Sequence, residues 1–186
     1  MARLTELKKT VSLGPEGTLR LAVIADTHSA PHPRSAELVA REAPDLVLHA
    51  GDIGDLAVLD RFAKIAPVVA VRGNIDEHVM PDLVTLDVAH GEGSLFKFLL
   101  LHIAVNGPRL RADALRQAQS KDAQLVICGH SHVPFLGRDR GVAVFNPGSI
   151  GPRRFHLPIV FGVIDVAPDQ VRMKHVSCET GERWMP

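Results

Sequence analysis

Apolar runs recur along the chain, and several of them end in a glycine, an acidic residue or a histidine. In the first half, such runs cover residues 19–25, 45–50 and 67–71. Short, nearly continuous apolar runs are typical of strands that are buried on both faces of an α/β sheet. The segments between them, residues 33–43 and 55–63, have helical spacing, so a βαβαβ unit is predicted.

The second half of the chain is richer in strands. Apolar runs predict strands over residues 83–89, 95–101, 125–128, 142–145, 159–166 and 171–176, and one helix over residues 109–121. This order favours an α/β fold, in which two packed sheets have helices outside them. Residues 1–18 are expected to form an N-terminal extension with a strand at 11–13 and a turn at 14–17. Residues 19–186 are expected to form a single domain.

Composition and charge exclude several classes of function. The 186 residues carry 21 basic and 21 acidic side chains, so the formal net charge is zero. Such a chain has no general attraction for nucleic acid or anionic membrane, and we expect neither as a bulk partner. Four arginines are candidates for a local basic patch, although a solvated surface is the favoured interpretation: Arg138, Arg140, Arg153 and Arg154.

The N-terminus and the cysteines point to the cytoplasm. The first ten residues lack the apolar run of a signal peptide, and no apolar stretch is long enough to span a bilayer. Cys128 and Cys178 form no CxxC pattern, which fits a reducing compartment. A cytoplasmic location is therefore the expectation, and homo-oligomerisation stays open.

Polar residues cluster where the predicted strands end. In chain order they are Asp26, His28, Asp52, Asn74, His102, His130 and His132. Ligands of α/β sheets bind beyond the carboxyl ends of the strands, so these side chains are expected to meet. The pairs Asp26/His28 and His130/His132 are each two residues apart, which in an extended chain directs both side chains to one side.

The chemistry of the cluster indicates two metal ions. Two carboxylates, one amide oxygen and four imidazoles exceed what one ion usually takes from protein, whereas two ions sharing a carboxylate would use them all. Each motif alone has a simpler interpretation, such as a turn or a helix cap by Asp55. The joint occurrence after successive strands favours the metal site. Glycines precede Asp52, Asn74 and His130, where they would let the backbone approach closely.

The set of motifs resembles the calcineurin-like metallophosphoesterase superfamily. Three features resemble its small bacterial and archaeal phosphodiesterase branch: the GNxD motif at residues 73–76, the short chain, and the run 146–149 that follows the GHxH motif at residues 129–132. This branch is related to the retromer subunit Vps29. The resemblance covers residues 19–186 and implies a four-layer α/β/β/α sandwich, in which two mixed sheets are flanked by helices.

The resemblance also implies a site. Asp26, His28, Asp52 and His132 would hold one metal, and Asp52, Asn74, His102 and His130 the other, with Asp52 bridging. The expected activity is that of a dinuclear phosphoesterase, which uses a metal-bridging hydroxide for in-line attack on phosphorus. Asn74 would bind metal and a phosphate oxygen. The expected partners are two divalent ions, Mn²⁺ favoured and Fe²⁺, Ni²⁺ or Zn²⁺ possible, and a small phosphoester, with diesters favoured over monoesters.

Two positions depart from the superfamily pattern. Ile75 follows Asn74 where larger members have a histidine that serves as general acid, and Ile103 follows His102 where the branch usually has glycine. His78 is only a speculative acid. Asp76 is either a residue that orients a ligand or a turn residue, and His49 either supports the site or lies in the core.

Two other functions stay open at this stage. The first is a protein-interaction scaffold of the Vps29 type with weak or no catalysis, although such a protein would be expected to lose ligands. The second is a metal-dependent hydrolase of non-phosphate esters or amides. The loop 146–149 is expected to support GHxH, with phosphate contact as the lesser possibility.

Overall fold

Two six-stranded sheets form the framework of the computed structural model, which describes residues 4–77 and 80–185. The elements in chain order are β1 (Glu6–Ser12), β2 (Leu19–Ile24), α1 (Ser35–Arg41), β3 (Leu46–His49), α2 (Ala57–Ala63), β4 (Val68–Ala70), β5 (Leu83–His90), β6 (Gly93–Leu101), β7 (Val105–Asn106), β8 (Arg109–Leu110), α3 (Ala112–Ser120), β9 (Leu125–Ile127), β10 (Phe135–Asp139), β11 (Val142–Asn146), β12 (Val160–Ala167), β13 (Gln170–Ser177) and β14 (Arg183–Trp184). None of the helices in the described ranges has the length and apolar character needed to cross a bilayer.

Both sheets are mixed. The first sheet has the order β1-β5-β6-β9-β11-β10, and the second has the order β14-β13-β12-β2-β3-β4. In the second sheet β2, β3 and β4 are parallel, whereas β12 runs antiparallel to β2. In the first sheet β6, β9 and β11 are parallel to one another. Parallel neighbours place their carboxyl ends at one edge, so the loops after β2, β3 and β4 lie together.

Three apolar clusters define the layers. The central cluster joins the facing sides of the two sheets, for example Val23 and Leu48 of the second sheet with Phe98 and Ile127 of the first. A second cluster packs α1 and α2 on the outer face of the second sheet, and a third packs α3 on the outer face of the first. The predicted α/β/β/α sandwich is therefore confirmed.

The N-terminal segment is part of the first sheet. β1 pairs in parallel with β5, and the chain then crosses to the second sheet as β2. The predicted strand–turn–strand is present, but β1 begins five residues earlier than expected, at Glu6, and ends at Ser12. Its residues are mostly exposed, which explains why an apolar pattern revealed only its end. The division at residue 18 stays a prediction.

Most remaining differences involve short or edge elements. The helix predicted over residues 109–121 begins at Ala112, because residues 109–110 form β8, which pairs with β7 in a hairpin. The sequence patterns missed β10, an edge strand of the first sheet whose side chains are largely solvated, and the two-residue strand β14.

Candidate metal centre

The loops that follow β2, β3 and β9 have an unusual backbone. Asp26, His28, Asp52, His130 and His132 all have positive φ, between 45° and 68°. Only glycine, and to a lesser extent asparagine and aspartate, adopts this region readily. The expectation of an extended chain at these two pairs is therefore wrong, because each loop turns in the left-handed conformation. The turned loops still bring the side chains of each pair towards one site.

Backbone hydrogen bonds join these loops to one another. The N–H of Asp26 donates to the carbonyl oxygen of Gly51 at 3.0 Å, and the N–H of His28 donates to that of Asp52 at 3.0 Å. The N–H of Gly129 donates to the carbonyl oxygen of His102, also at 3.0 Å. The loops of each sheet are thereby fixed relative to their neighbours before any side chain is considered.

Glycines permit the close approach of these loops. A Cβ at Gly51 would lie 2.6 Å from Nδ1 of His102, and one at Gly73 would collide with the backbone and carboxylate of Asp52. At Gly129 the added carbon would lie 2.9 Å from the carbonyl oxygen of Ala50. The predicted reason for these glycines, close backbone approach at the site, is confirmed.

Six of the seven predicted ligands fall into two groups. One group contains Asp26, His28 and His132, and the other contains Asp52, His102 and His130; within each group the candidate ligand atoms lie within 4.8 Å of one another. The grouping agrees with the division that the family resemblance implied, in which Asp52 belongs to both groups. Metal binding by these residues stays a prediction.

Asp52 lies between the two groups. Its Oδ1 is 3.2 Å from Nε2 of His102, and its Oδ2 is 3.7 Å from Nε2 of His28 in the other group. The N–H groups of Asn74 and Ile75 donate to Oδ1 of Asp52. Asn74 is exposed and directly adjoins the second group. This placement suits the bridging role predicted for Asp52.

Unpartnered buried atoms test whether cations fit this site. Within residues 4–77 and 80–185, four buried side-chain polar atoms make no hydrogen bond, and three belong to predicted ligands: Oδ2 of Asp26, Nε2 of His102 and Nδ1 of His132. Unsatisfied buried polar atoms are costly and rare in folded proteins. Nδ1 of His102 lies 2.7 Å from the Ala50 carbonyl oxygen, which can only accept, so Nδ1 carries a proton, and Nε2, which faces Asp52, is the nitrogen available to a cation. The donor set fits divalent cations.

Burial and neighbouring charges shift the pKa values at the site. Burial raises the pKa of Asp26 to about 7 and, together with Arg154, lowers the pKa of His132 to about 4. Burial alone would raise the pKa of Asp52, but its interaction with His102 outweighs this effect and holds the pKa below the ordinary value. The burial of ionisable groups without sufficient counter-charge is typical of functional sites.

His49 connects two of these loops by hydrogen bonds from within the core. It is fully buried at the end of β3, and its Nδ1 accepts the N–H of Gly51 at 3.2 Å. Its Nε2 therefore carries the proton and donates to Oγ1 of Thr27 at 3.0 Å, and that hydroxyl donates to the carbonyl oxygen of Ile53 at 2.9 Å. His49 thus lies in the core and also supports the site, so both interpretations left open by the sequence apply.

Asp76 also supports two of these loops. Its carboxylate accepts the N–H groups of Ile53, Gly54 and Gly73, at 2.6–3.1 Å. Ile53 and Gly54 follow Asp52 in the chain, and Gly73 precedes Asn74. Asp76 therefore fixes the loop after β3 to the loop after β4, which favours the orienting role over that of a simple turn residue.

The loop at residues 146–149 supports the histidine loop. Asn146 is buried, and its Nδ2 donates to the carbonyl oxygen of Gly129 at 2.7 Å and lies 3.1 Å from Oγ of Ser131. Oγ of Ser149 donates to the carbonyl oxygen of Asp26 at 3.0 Å. These contacts agree with the structural role expected for this loop.

The sequence interpretation missed the placement of Arg154. Its guanidinium lies 3.3 Å from Nε2 of His28, at the exposed rim of the site. Arg153 instead pairs with Glu179, whereas in the described part of the chain no carboxylate lies within ion-pair distance of Arg154. One signal was available, since Arg154 follows closely on the predicted supporting loop. The speculative acid His78 lies outside the described residues.

Fold and site together define a class, that of two-sheet α/β proteins with two adjacent groups of candidate metal ligands at the strand ends. Residues 19–169 match the profile of the calcineurin-like phosphoesterase superfamily domain. A probable metallophosphoesterase of Methanocaldococcus jannaschii is 33% identical over 141 residues, which cover 72% of this chain and 69% of the relative. The chain therefore belongs to the calcineurin-like phosphoesterase superfamily, as its motifs indicated.

Solved structures extend the comparison of the fold. Vps29 of Entamoeba histolytica, complexed with Zn²⁺, superposes with a TM-score of 0.72 at 21% identity, covering 89% of this chain and 96% of that one. An archaeal phosphodiesterase gives a TM-score of 0.66 at 21% identity, covering 85% and 100%. At such identity these likenesses concern the fold alone. Family membership indicates a phosphoester hydrolase that binds divalent metal.

Proposed function

We propose that this protein is a dinuclear phosphodiesterase. The observation that carries the proposal is the pair of metal-ligating groups with Asp52 between them, in a chain of the calcineurin-like superfamily. Asp26, His28, Asp52 and His132 would hold one divalent cation, and Asp52, Asn74, His102 and His130 the other. When bound, the two cations supply Lewis acidity, which makes water nucleophilic near neutral pH and neutralises charge on the phosphate. Mn²⁺ is the favoured ion.

The protein's own residues have distinct tasks in this proposal. Asp76 and the His49–Thr27 pair position the loops that carry the ligands. The amide of Asn74 is exposed beside Asp52 and would donate to a phosphate oxygen with its NH₂ group. No histidine follows Asn74, so an acid at that position does not protonate the leaving group. This feature favours esters whose leaving groups depart without strong acid catalysis.

Arg154 adds a positive charge where an anionic ester would bind. It is exposed, lacks a carboxylate partner among the described residues, and lowers the pKa of His28 and His132 through its charge. A guanidinium hydrogen-bonds phosphate oxygens in a fixed fork geometry. We assign it the binding of a non-bridging phosphate oxygen.

A scaffold of the Vps29 type is the competing function, because the fold is shared with Vps29. Metal binding alone does not separate the two functions, since the Entamoeba histolytica Vps29 structure itself contains Zn²⁺. Catalysis does separate them. The complete donor set and the uncommitted arginine favour the enzyme.

The test is turnover by the purified chain with Mn²⁺, Fe²⁺, Ni²⁺ or Zn²⁺ added in turn. Bis-p-nitrophenyl phosphate and p-nitrophenyl phosphate serve as diester and monoester substrates, and p-nitrophenyl acetate tests non-phosphate esters. We expect the diester to be the best substrate and Mn²⁺ to support turnover. Absence of turnover with every metal would favour the scaffold, and preferential cleavage of the acetate would favour the hydrolase of non-phosphate esters.

A further inference from the structure

A cavity of about 380 Å³ opens beside the second group of predicted ligands. Asn74 and His102 form part of its wall, so it adjoins the place where the phosphate is proposed to bind. Cavities for small ligands range from roughly 300 to 1,000 Å³. This cavity is therefore large enough for one ring system or a nucleoside, but not for a long polymer segment.

Half of the other residues that line the cavity wall are apolar. Its apolar side chains come from four separate segments of the chain: Leu4, Leu83, Leu101, Ile103 and Ala114. Burying apolar surface contributes roughly 25 cal/mol per Å², so such a wall favours a carbon-rich group. Ile103 occupies the position after His102 where the related branch usually has glycine. This departure adds an apolar side chain to the cavity.

The charges of the wall oppose a second anionic group. Arg72 is the one arginine or lysine among the described lining residues, and its guanidinium pairs with Asp82. The backbone N–H and the hydroxyl of Thr5 donate to the other oxygen of Asp82, at 2.7 Å and 2.9 Å. Asp113 adds another carboxylate to the lining. The cavity thus has no free cation for an additional phosphate.

We propose that this cavity binds an uncharged organic group with an apolar face that is esterified to the phosphate, such as an aryl group. The inference rests on the proposed function and deepens it, because it names the part of the substrate that is selected. Leu4 and Thr5 precede the part of the chain that matches the superfamily profile. The N-terminal segment would therefore contribute to substrate selection.

The test fills the cavity and measures kcat/KM on bis-p-nitrophenyl phosphate with Mn²⁺. We expect Ile103→Trp to lower kcat/KM at least tenfold. The inhibition constant for inorganic phosphate, which binds without an organic group, should stay within twofold. Gln117→Trp fills the cavity from the α3 side and should repeat the result, which keeps the test valid if Ile103→Trp fails to fold.

The matched control is Val133→Trp. Val133 is exposed and lines a different cavity, which lies beside His130. This variant should keep kcat/KM within twofold of the wild-type value. The proposal is overturned if both cavity-filling variants turn over like the wild type, or if Val133→Trp alone lowers kcat/KM.

A binding measurement separates this proposal from the proposed function. p-Nitrobenzyl alcohol contains the uncharged aryl group but no phosphorus, and saturation-transfer NMR detects its binding without turnover. We expect a signal with the wild type that is lost in Ile103→Trp. If the wild type hydrolyses no phosphoester, the proposed function fails, yet this signal would still support the cavity. Absence of the signal in the wild type would overturn the assignment of the cavity.

Discussion

Backbone strain at single residues is concentrated at the candidate metal centre. Five of the seven predicted ligands have positive φ, and one of them, Asp52, follows a glycine that also has positive φ, Gly51. A left-handed conformation costs a non-glycine residue of order 1 kcal/mol or more. Such strain persists only where surrounding contacts enforce it, here the hydrogen bonds between loops. Strained positions and unpartnered buried atoms coincide at one place, which is what a site organised for ligands requires.

Replacing Asp52 tests the bridging role. Asp52→Asn keeps an oxygen that can accept the Asn74 N–H, so the loop should remain folded, but it removes the charge shared by both groups. We expect most bound metal and nearly all diesterase activity to be lost. Elemental analysis of the purified variant measures the metal. Asp60→Asn removes an exposed carboxylate on α2 and should keep both properties, whereas two metals per chain in Asp52→Asn would refute bridging.

Replacing Arg154 tests its contact with phosphate. A hydrogen bond to a charged group is worth about 1.5–3 kcal/mol, so Arg154→Ala should lower kcat/KM for the diester by roughly 10- to 100-fold. The change should be mainly in KM, with metal content unaltered, and Arg154→Lys should recover part of the loss. Arg172→Ala removes an exposed arginine at the opposite end of the second sheet and provides the control. An unchanged KM in Arg154→Ala would exclude the contact.

The buried His49 predicts how stability depends on pH. Burial lowers its pKa to about 3 in the folded state, from an ordinary value of 6.5. The unfolded chain therefore binds a proton below pH 6.5 that the folded chain refuses, and stability falls by about 1.4 kcal/mol per pH unit until the pH approaches 3. Asp26, with a raised pKa, contributes a slope of opposite sign. His49→Gln should remove only the His49 slope.

Urea unfolding between pH 6.5 and 4.5, with EDTA present, measures this effect. The loss of stability across that interval should be smaller in His49→Gln than in the wild type by up to about 2.7 kcal/mol. The contribution of Asp26 cancels because it is present in both proteins. His90→Gln, at an exposed histidine, should keep the wild-type dependence. Parallel curves for wild type and His49→Gln would show that the buried imidazole does not titrate on unfolding.

At the residue scale, the sequence predicted which side chains meet but not the backbone conformation that brings them together. Residue type and position after a strand were enough to select Asp26, Asp52 and His130, because strand ends in an α/β sheet share an edge. The left-handed backbone was beyond prediction, since it follows from contacts between distant loops. Arg154 was missed because an arginine in a loop is usually solvated, and only tertiary structure places its guanidinium beside His28.

Secondary-structure elements differ in how clearly the sequence shows them. Strands buried on both faces, such as β2 and β3, give continuous apolar runs and were predicted within one or two residues. β1 and β10 lie at the edges of the first sheet and have no fully buried residue, so their apolar patterns are weak. Edge strands depend on their neighbours for pairing, and such pairing is not encoded locally.

The edge strand β1 has a testable structural role. It pairs with β5 along seven residues and contributes Val11 to the central core. Deletion of residues 1–12 should expose the β5 edge, lower the melting temperature by at least about 5 °C and promote aggregation. Lys8→Ala, at an exposed position of β1, should change the melting temperature little. Differential scanning calorimetry and light scattering measure both outcomes, and an unchanged melting temperature after deletion would show that β1 is dispensable.

At the scale of the whole molecule, each candidate metal group joins the two sheets. In the first group, Asp26 and His28 follow β2 of the second sheet, whereas His132 follows β9 of the first sheet. In the other group, Asp52 follows β3 of the second sheet, and His102 follows β6 of the first. A cation in either group would thus add a crosslink between sheets that meet mainly through apolar packing, with a few hydrogen bonds at this edge such as that of His102 to the Ala50 carbonyl oxygen. Metal binding should therefore stabilise the whole sandwich rather than one loop.

Thermal unfolding with and without metal tests metal binding by these two groups. Ligand at 100 times its dissociation constant stabilises a folded protein by about 2.7 kcal/mol per site, which for a chain of this size corresponds to a shift of roughly 5–10 °C. We expect Mn²⁺ to raise the melting temperature and EDTA to reverse the rise. His132→Ala and His102→Ala each disable one group and should each leave a smaller shift, while His90→Ala should retain the full one. Any ligand that binds only the folded state raises the melting temperature, so an unaltered melting temperature at saturating Mn²⁺ would contradict metal binding by these two groups.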